Sequence, residues 1–281
     1  MQTQIIDGKQ IASSLQQQLT EEVQAMKHKP CLAVILVGDD PASIIYTNRK
    51  KKVAEQIGID ILFYQFSPVM TQEALIDFIA GLNKDKAVDA IIVQLPLPEH
   101  FNTNQVIESI NPQKDVDGLC ALNLGYLMIN RPYMISCTPL ACLHLIKSVC
   151  PDLAGKNAVV VGRSRLVGRP LSQLLLNENC TVTNAHSLTQ DLPSVCKNAD
   201  ILVSATGKAG LIKQNFIKKG AIVIDVGITR LPDGKITGDV DFEEANGHAG
   251  FLTPVPGGVG PMTVMKLFEN VVRKKKIAEN C

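Results

Sequence analysis

A tyrosine and a lysine in the first third of the chain have a spacing that can serve catalysis. Tyr46, Lys50, Val53 and Ile57 follow one another at helical intervals, so a helix places them on one otherwise apolar face. A lysine on such a face either lines a desolvated cleft, where it can transfer protons, or extends its ammonium group into water while its stem packs. Because Tyr46 lies one turn before Lys50, within reach of the same ligand, we favour the catalytic interpretation.

The helix that carries this pair has clear start and stop signals. Asp40 can serve as its N-cap, Pro41 as its first residue and Gly58 as its C-cap. Tyr-x-x-x-Lys is also the catalytic spacing of short-chain dehydrogenases. In that family the glycine-rich loop precedes the pair, whereas here Gly162 lies far downstream, so the short-chain interpretation remains only a rival.

Two further polar residues stand where ligands of α/β proteins bind. Gln94 ends a buried strand, at the end of a sheet where small molecules collect, and it can hydrogen-bond to Lys50 or to a substrate. The alternative is a capping amide. Asp117 follows Asp115 and precedes Gly118, and a carboxylate there can accept two N–H groups from an amino-substituted heterocycle. The alternative for Asp117 is a simple turn.

A glycine-containing turn after a second strand predicts a dinucleotide site. The strand Ala158–Val161 runs into Gly162, and a helix, Leu171–Asn177, follows Gly168. Gly162 allows a tight turn, Gly168 allows close approach, and the helix N-terminus offers unpaired N–H groups to a pyrophosphate. A serine, Ser164, stands where a second glycine is usual, so an ordinary βα turn is the alternative.

The next strand indicates which dinucleotide binds. NAD-preferring folds place an acidic residue at its end, but Ala185, His186 and Ser187 carry no carboxylate. Arg163 and Arg165 lie in the glycine turn and can bind a 2′-phosphate, unless they are surface charges. We therefore predict a preference for NADP over NAD.

A rigid loop precedes the last helix. Three prolines and three glycines fall within residues 253–263, including Pro256 and Gly257, which makes the loop shaped rather than flexible. Such a loop suits the border of a nicotinamide site, and an exposed linker is the alternative.

The elements between these residues predict an α/β fold. Short apolar runs alternate with helical patterns, as in βαβ units of a parallel sheet. We expect one domain over residues 1–139, with a C-terminal helix at 264–281 packing back on it, and a dinucleotide domain over 140–263. The predicted strands are Leu32–Val37, Ile59–Phe66, Ala90–Gln94, Ala158–Val161, Thr181–Ala185, Ile201–Ala205 and Ala221–Val226.

The composition excludes several classes of function. The 281 residues carry a net charge of +1, which gives no electrostatic reason to expect nucleic acid or an anionic membrane as a partner. None of the eight cysteines forms a C-x-x-C pair, so we expect no metal and no disulfides. No apolar stretch approaches membrane length and no secretory segment is visible, so we expect a cytoplasmic enzyme.

Taken together, these motifs resemble the bifunctional methylenetetrahydrofolate dehydrogenase/methenyltetrahydrofolate cyclohydrolase family. They cover nearly the whole chain in the family's order, and the joint pattern is far more specific than any one piece. The matching segments are 37–43 with Tyr46 and Lys50, 93–98, 114–118 with Asn123 and Gly125, 162–164 with Val167, Gly168 and Pro170, 225–228 and 254–263.

The resemblance implies a fold, two activities and a set of roles. It implies an N-terminal α/β/α catalytic domain and a Rossmann-like NADP-binding domain with a mostly parallel sheet, separated by a cleft. It implies a homodimer of one-carbon metabolism and purine biosynthesis that acts on a folate substrate with NADP. In the implied roles Lys50 serves the cyclohydrolase, Gln94 orients it, Tyr46 and Asp117 bind the folate, Pro256 and Gly257 border the folate site, and Gly162, Arg163, Ser164, Ser187 and Ile228 bind the cofactor.

The sequence departs from the family pattern in two places. Ser136 and Ala141 replace a proline and a glycine of the connecting segment, and Cys120 stands where histidine is common. These changes affect loop detail and pocket shape rather than the reaction. A shikimate-type or other NAD(P) dehydrogenase, a monofunctional enzyme of the same family and a non-catalytic dinucleotide-binding regulator are the alternatives.

Overall fold

The computed structural model describes residues 2–279, apart from the side chain of residue 42. These residues form two compact units. The N-terminal unit comprises residues 14–135 and 267–279, and the central unit comprises residues 2–13 and 136–266. Each unit has its own sheet and its own apolar core.

The regular elements are numbered in chain order. The strands are β1 (Gln4–Ile5), β2 (Cys31–Val37), β3 (Asp60–Phe66), β4 (Ala90–Val93), β5 (Asn157–Val161), β6 (Thr181–Ala185), β7 (Ile201–Ser204), β8 (Ile222–Asp225), β9 (Thr229–Arg230), β10 (Ile236–Thr237) and β11 (Phe251–Leu252). The α-helices are α1 (Gly8–Gln24), α2 (Pro41–Ile57), α3 (Gln72–Lys84), α4 (Thr103–Glu108), α5 (Ala121–Met128), α6 (Cys137–Val149), α7 (Gly168–Asn177), α8 (Leu192–Cys196), α9 (Phe242–Ala245) and α10 (Val259–Glu279).

The N-terminal unit is built on a parallel sheet of order β3-β2-β4. The central strand β2 is buried along almost its whole length, because its unbroken apolar run fits a strand covered on both faces. Strand β4 is buried throughout and ends directly before Gln94. The second half of α10 belongs to this unit, where Asn270 donates to the carbonyl oxygens of Val116 and Ile135 at 2.8 and 2.9 Å.

The central unit is built on a six-stranded parallel sheet of order β1-β11-β8-β7-β5-β6. The order reverses direction at β5, since β6 lies on one side of it and β7 on the other. In open α/β sheets such a reversal creates a crevice at the carboxyl ends of the strands, where ligands bind. The glycine turn begins at the carboxyl end of β5, at Gly162.

The mixed α/β class and the mostly parallel sheet are confirmed, and each of the seven predicted strands is present with its ends shifted by at most one residue. The sequence analysis missed the two-residue strands β1, β9, β10 and β11. These strands are too short to show a period, and they form by pairing with longer partners or with one another.

The compact units divide the chain differently from the predicted domains at three points. Residues 2–13 belong to the central unit because β1 pairs with β11, with Gln4 opposite Phe251 and Ile5 opposite Leu252. One boundary between the units falls at 135/136, whereas the predicted one was at 139/140. A second boundary falls inside α10 at 266/267, whereas the predicted one was at 263/264. Among residues 2–279, no helix is long and apolar enough to cross a membrane.

Candidate active site

Helix α2 is defined at both ends by the residues that the sequence analysis chose. The Asp40 carboxylate accepts the backbone N–H of Ser43 at 2.8 Å, and Pro41 occupies the first turn. Gly58 ends the helix in the left-handed conformation and donates its N–H to the Ala54 carbonyl. The predicted caps are therefore confirmed, and they fix the register in which Tyr46 and Lys50 lie one turn apart.

Lys50 is buried, with 7% of its surface exposed, so its ammonium group does not extend into bulk water. Its Nζ donates to Oε1 of Gln94 at 2.9 Å. The side-chain amide of Gln94 is itself held, because its Nε2 donates to the Leu95 carbonyl at 2.7 Å. The backbone N–H of Gln94 donates to the Ile35 carbonyl at 2.8 Å. With Nε2 engaged in this way, Oε1 is the atom that faces Lys50, and the snorkelling alternative does not describe this lysine.

Tyr46 lies beside this pair. The Lys50 Nζ is 5.9 Å from the centre of the Tyr46 ring, and burial raises the pKa of the phenol, with Arg49 opposing the shift. The phenol is therefore protonated at neutral pH and acts as a hydrogen-bonding and stacking group rather than as a base. The structure brings Tyr46, Lys50 and Gln94 together in one unit.

The two neighbouring aspartates Asp115 and Asp117, of which the sequence analysis chose Asp117 as a ligand-binding residue, have different surroundings. Asp115 is 1% exposed, and its Oδ2 accepts the backbone N–H of Cys120 at 2.8 Å and the Nδ2 of Asn123 at 3.0 Å. Asp117 is half-buried. Asp115 is thus an internal tie that shapes the segment, whereas Asp117 is the more exposed of the two carboxylates.

Cys120, which the sequence analysis named as a departure from the family pattern, is buried. Burial and the neighbouring Asp115 raise the pKa of its thiol to about 12. The thiol is therefore neutral at physiological pH, and it serves as a small apolar packing group rather than as a nucleophile.

The glycine turn of the central unit packs too tightly for any other residue at two positions. Gly162 has φ of +129°, and a Cβ there would overlap the Ala205 carbonyl oxygen. A Cβ on Gly168 would overlap the carbonyl oxygen of Gly162. The Ser164 hydroxyl accepts the backbone N–H groups of Val167 at 3.1 Å and Gly168 at 3.5 Å, so it caps the start of α7.

This turn fits a dinucleotide. The two glycines leave a cradle that a side chain would fill, and α7 starts behind it with its N–H groups directed toward the turn. Arg163 and Ser187 are exposed and Arg165 is half-buried, so cationic and hydroxyl groups are at hand for phosphate. Asn184 occupies the end of β6 and donates from Nδ2 to the carbonyl oxygens of Val160 at 2.9 Å and Gly162 at 2.6 Å.

The remaining predicted site residues also lie in the central unit. Ile228 follows β8 and is 58% exposed, so its side chain is accessible to a ligand. Pro256 is exposed, whereas Gly257 is buried with φ of +114°. The Gly258 N–H donates to the Pro254 carbonyl at 2.8 Å, which closes the rigid turn.

The sequence analysis missed a pair of buried carboxylates, Asp225 and Asp239. Asp225 belongs to a motif that was noted for Ile228, but nothing in the sequence paired it with Asp239, fourteen residues downstream. Among residues 2–279, no group of three or more His, Cys, Asp or Glu side chains could hold a metal ion.

Family models and known proteins match the chain over nearly its whole length. Residues 6–117 match the tetrahydrofolate dehydrogenase/cyclohydrolase catalytic domain, and residues 136–279 match the NAD(P)-binding domain of the same family. The bifunctional protein FolD of Bacillus licheniformis is 50% identical over 279 residues, which covers 98% of each chain.

Solved structures agree with these matches. The bifunctional enzyme FolD of Campylobacter jejuni has a TM-score of 0.96 and 44% identity, over 98% of this chain and 99% of that chain. The FolD of Trypanosoma brucei, solved with NADP cofactor and an inhibitor, has a TM-score of 0.95 and 37% identity over 100% of both chains.

Proposed function

We infer, because the chain belongs to the tetrahydrofolate dehydrogenase/cyclohydrolase family, that it catalyses two successive reactions of one-carbon metabolism. It oxidises 5,10-methylenetetrahydrofolate to 5,10-methenyltetrahydrofolate with NADP, and it then hydrolyses the methenyl compound to 10-formyltetrahydrofolate. Relatives named for both activities match it at full length, which disfavours a short-chain or shikimate-type dehydrogenase.

The dehydrogenase step requires positioning more than acid–base chemistry. The carbon between two folate nitrogens is a good hydride donor because both lone pairs stabilise the cation that remains. NADP, when bound, supplies the hydride acceptor. Gly162, Arg163, Ser164 and Ser187 would hold its phosphates, and Ile228 would contact its nicotinamide side.

The cyclohydrolase step requires a proton to leave the water that attacks the methenyl carbon. We assign that role to Lys50, whose Nζ either takes the proton or positions the water. Gln94 keeps Nζ in place through its Oε1, and Tyr46 binds the folate beside it by stacking or hydrogen bonding. The single observation that carries this assignment is that Lys50 is buried and yet aimed at one fixed amide oxygen.

The folate itself needs a polar anchor. The half-buried Asp117 can accept two N–H groups from the amino-pyrimidine edge of the pterin.

A substitution of Lys50 tests the assignment. Lys50→Met keeps the volume of the stem and removes the amine, so methenyltetrahydrofolate should still form from the methylene substrate and NADP but should accumulate. Both phases are followed by the absorbance of the methenyl compound. Lys52→Met is the matched control, because Lys52 is an exposed lysine of the same helix. Wild-type hydrolysis in Lys50→Met would remove Lys50 from the mechanism.

The protein is further proposed to be a cytoplasmic homodimer that does not bind nucleic acid. The net charge of +1 gives no electrostatic reason to expect a polyanion as a partner, and the cysteines among residues 2–279 are free thiols, as in a reducing compartment. Strand β3 has an open edge in the N-terminal unit, where a second copy could pair. Light scattering on a sizing column tests the homodimer, and a single-chain mass would exclude it.

A further inference from the structure

Two carboxylates are buried together at the carboxyl ends of β7 and β8 in the central unit. Asp225, the last residue of β8, is 3% exposed, and Asp239, which follows β10, is 0% exposed. Aspartates are seldom fully buried unless they are paired with a cation. Among residues 2–279, however, no cationic side chain donates a hydrogen bond to either carboxylate.

Asp225 ties together two segments of chain that follow different strands. Its Oδ1 accepts the backbone N–H groups of Gly227 and Asp239, both at 2.9 Å, and its Oδ2 accepts that of Val240 at 2.9 Å. The turn after β8, which carries Ile228, is thereby bonded to the segment 238–240.

Asp239 ties down the turn after the neighbouring strand β7. Its Oδ2 accepts the Ser204 hydroxyl at 2.9 Å and the backbone N–H of Thr206 at 2.6 Å, while its Oδ1 has no hydrogen-bond partner among residues 2–279. A Cβ on Gly227 would overlap the Asp239 carboxylate, and a Cβ on Gly238 would overlap that of Asp225. The backbone therefore closes on both carboxylates and excludes side chains.

The surroundings of Asp225 disfavour its negative charge. Burial raises the pKa of this carboxyl to about 6, and the charge of Asp239 adds to the rise, against three backbone N–H groups that lower it. The Gly227 turn presents its backbone N–H to the Asp225 carboxylate. Segment 238–240 presents the backbone N–H groups of Asp239 and Val240 and the charge of the Asp239 carboxylate. From the segment after β11, the Thr253 hydroxyl accepts the backbone N–H of Asp225 at 2.8 Å.

We propose that Asp225 and Asp239 are positioning residues that hold the turns after β7 and β8 in the conformation that binds the dinucleotide, and that affinity for the dinucleotide falls when this carboxylate pair takes up a proton. The inference rests on the proposed cofactor contact of Ile228. An ionised Asp225 offers acceptors to all three N–H groups, whereas a protonated one presents an O–H to at least one of them. Loss of a bond on either oxygen weakens the tie between segment 238–240 and the turn that carries Ile228.

Direct binding to the complete protein tests the proposal by calorimetry, without turnover. NAD is titrated beside NADP because it lacks the 2′-phosphate, which also changes charge in the acid range. We expect the dissociation constant of the wild-type protein for NAD to rise about tenfold between about pH 8 and about pH 5, the loss expected for one charge-assisted hydrogen bond.

Asp239→Asn is the decisive variant. The side-chain oxygen of the asparagine can accept the same hydrogen bonds from Ser204 and Thr206 that Oδ2 of Asp239 accepts. Its amide nitrogen then takes the position of Asp239 Oδ1, which has no hydrogen-bond partner among residues 2–279, so the fold is retained. Without the Asp239 charge the pKa of Asp225 falls, and the weakening of binding moves to lower pH. Asp225→Asn should bind weakly at every pH and lose the acid-dependent change.

Asp200→Asn is the matched control, at the opposite end of the same sheet. Asp200 accepts the backbone N–H of Asn157 at 2.9 Å and pairs with Lys218 at 2.6 Å, which holds the pKa of its carboxyl below its usual value. Its binding profile should match the wild type. All variants keep every other titratable group, so differences between profiles isolate the pair.

Two results would overturn the inference. One is a wild-type affinity for NAD that does not change with pH, and the other is an Asp239→Asn profile that coincides with the wild type. The proposed function fails separately, through wild-type affinity in Ile228→Ala or through absence of the dehydrogenase reaction in the wild-type protein.

Discussion

The Lys50 ammonium and the Gln94 amide oxygen are 2.9 Å apart, and the Gln94 side-chain amide also donates from Nε2 to the Leu95 carbonyl. The position of the Gln94 oxygen is therefore fixed by the backbone as well as by Lys50. The amide fixes where Nζ lies without itself changing charge, which suits a group that passes a proton to or from water.

Gln94→Ala should consequently damage the two reactions unequally. Loss of Oε1 leaves the Lys50 amine buried without this partner, so we expect hydrolysis of the methenyl compound to fall about tenfold to a hundredfold. Oxidation of the methylene substrate should fall much less. Gln65→Ala is the control, since Gln65 also donates an amide hydrogen bond to a backbone carbonyl in the same sheet. Equal loss of both activities would mean that Gln94 merely supports the fold.

Asp115 and Asp117 should separate into a structural and a ligand-binding residue. Asp115→Asn replaces an acceptor of two hydrogen bonds in the interior, so we expect a loss of about 1–3 kcal/mol in the free energy of unfolding. Asp117→Asn keeps the size of the side chain and removes its negative charge, so it should raise KM for the folate about tenfold. Chemical denaturation and steady-state kinetics measure the two effects, and an exchange of the two phenotypes would reverse the assignment.

The sequence was informative wherever a signal is local. The caps Asp40 and Gly58, the buried runs of β2 and β5 and the glycine at 162 are all consequences of neighbouring residues, and the structure has them where they were predicted. The strands β1 and β11 were missed because their two-residue pairing joins positions about 247 residues apart, which no local pattern records.

The same limit applies to the sites. Helical spacing was enough to place Tyr46 beside Lys50, but the choice between a snorkelling and a buried lysine depended on Gln94, forty-four residues away. The pairing of Asp225 with Asp239 was invisible because it arises when β8 and the segment after β10 meet. Long-range contacts, rather than residue types, are what the sequence left open.

Gly162→Ala should destabilise the protein because of backbone strain and a steric clash, and a second glycine without either feature serves as the control. At φ of +129° with the Ala205 carbonyl against it, Gly162→Ala should cost about 1–3 kcal/mol of unfolding free energy and weaken NADP binding. Gly81 is an exposed glycine inside α3 with no neighbouring atom in the way, so Gly81→Ala should stabilise by about 1 kcal/mol. A lower melting temperature for Gly162→Ala and a higher one for Gly81→Ala would support this explanation, and changes of the same sign in both variants would refute it.

Asn184 should influence both the glycine turn and the choice of dinucleotide. Its Nδ2 bonds to the carbonyl oxygens of Val160 and Gly162, so Asn184→Asp would place a negative charge against two acceptors. We expect affinity for NADP to fall about tenfold and affinity for NAD to fall less, because the carboxylate also repels the extra 2′-phosphate.

Two companion substitutions separate these effects on binding. Asn184→Ala removes the donors without adding charge, so it should weaken the binding of both cofactors equally. Thr181→Asp adds a charge at the far, exposed end of β6 and should change neither affinity. Equal loss of NADP and NAD in Asn184→Asp would exclude the electrostatic part.

The free energy of unfolding should depend on pH in a direction that Asp225 determines. Its pKa is raised from 3.8 to about 6 on folding, so the folded state binds the proton more tightly than the unfolded state. The stabilising contribution is complete below the unfolded pKa and is lost as pH rises through the folded one, by on the order of 1–3 kcal/mol between about pH 4 and about pH 6. Asp239→Asn removes the neighbouring charge and should reduce that loss, so its free energy of unfolding relative to the wild type should increase with pH across this window. Urea denaturation at a series of pH values measures the difference, and a difference that stays constant with pH would mean that the two carboxylates do not interact.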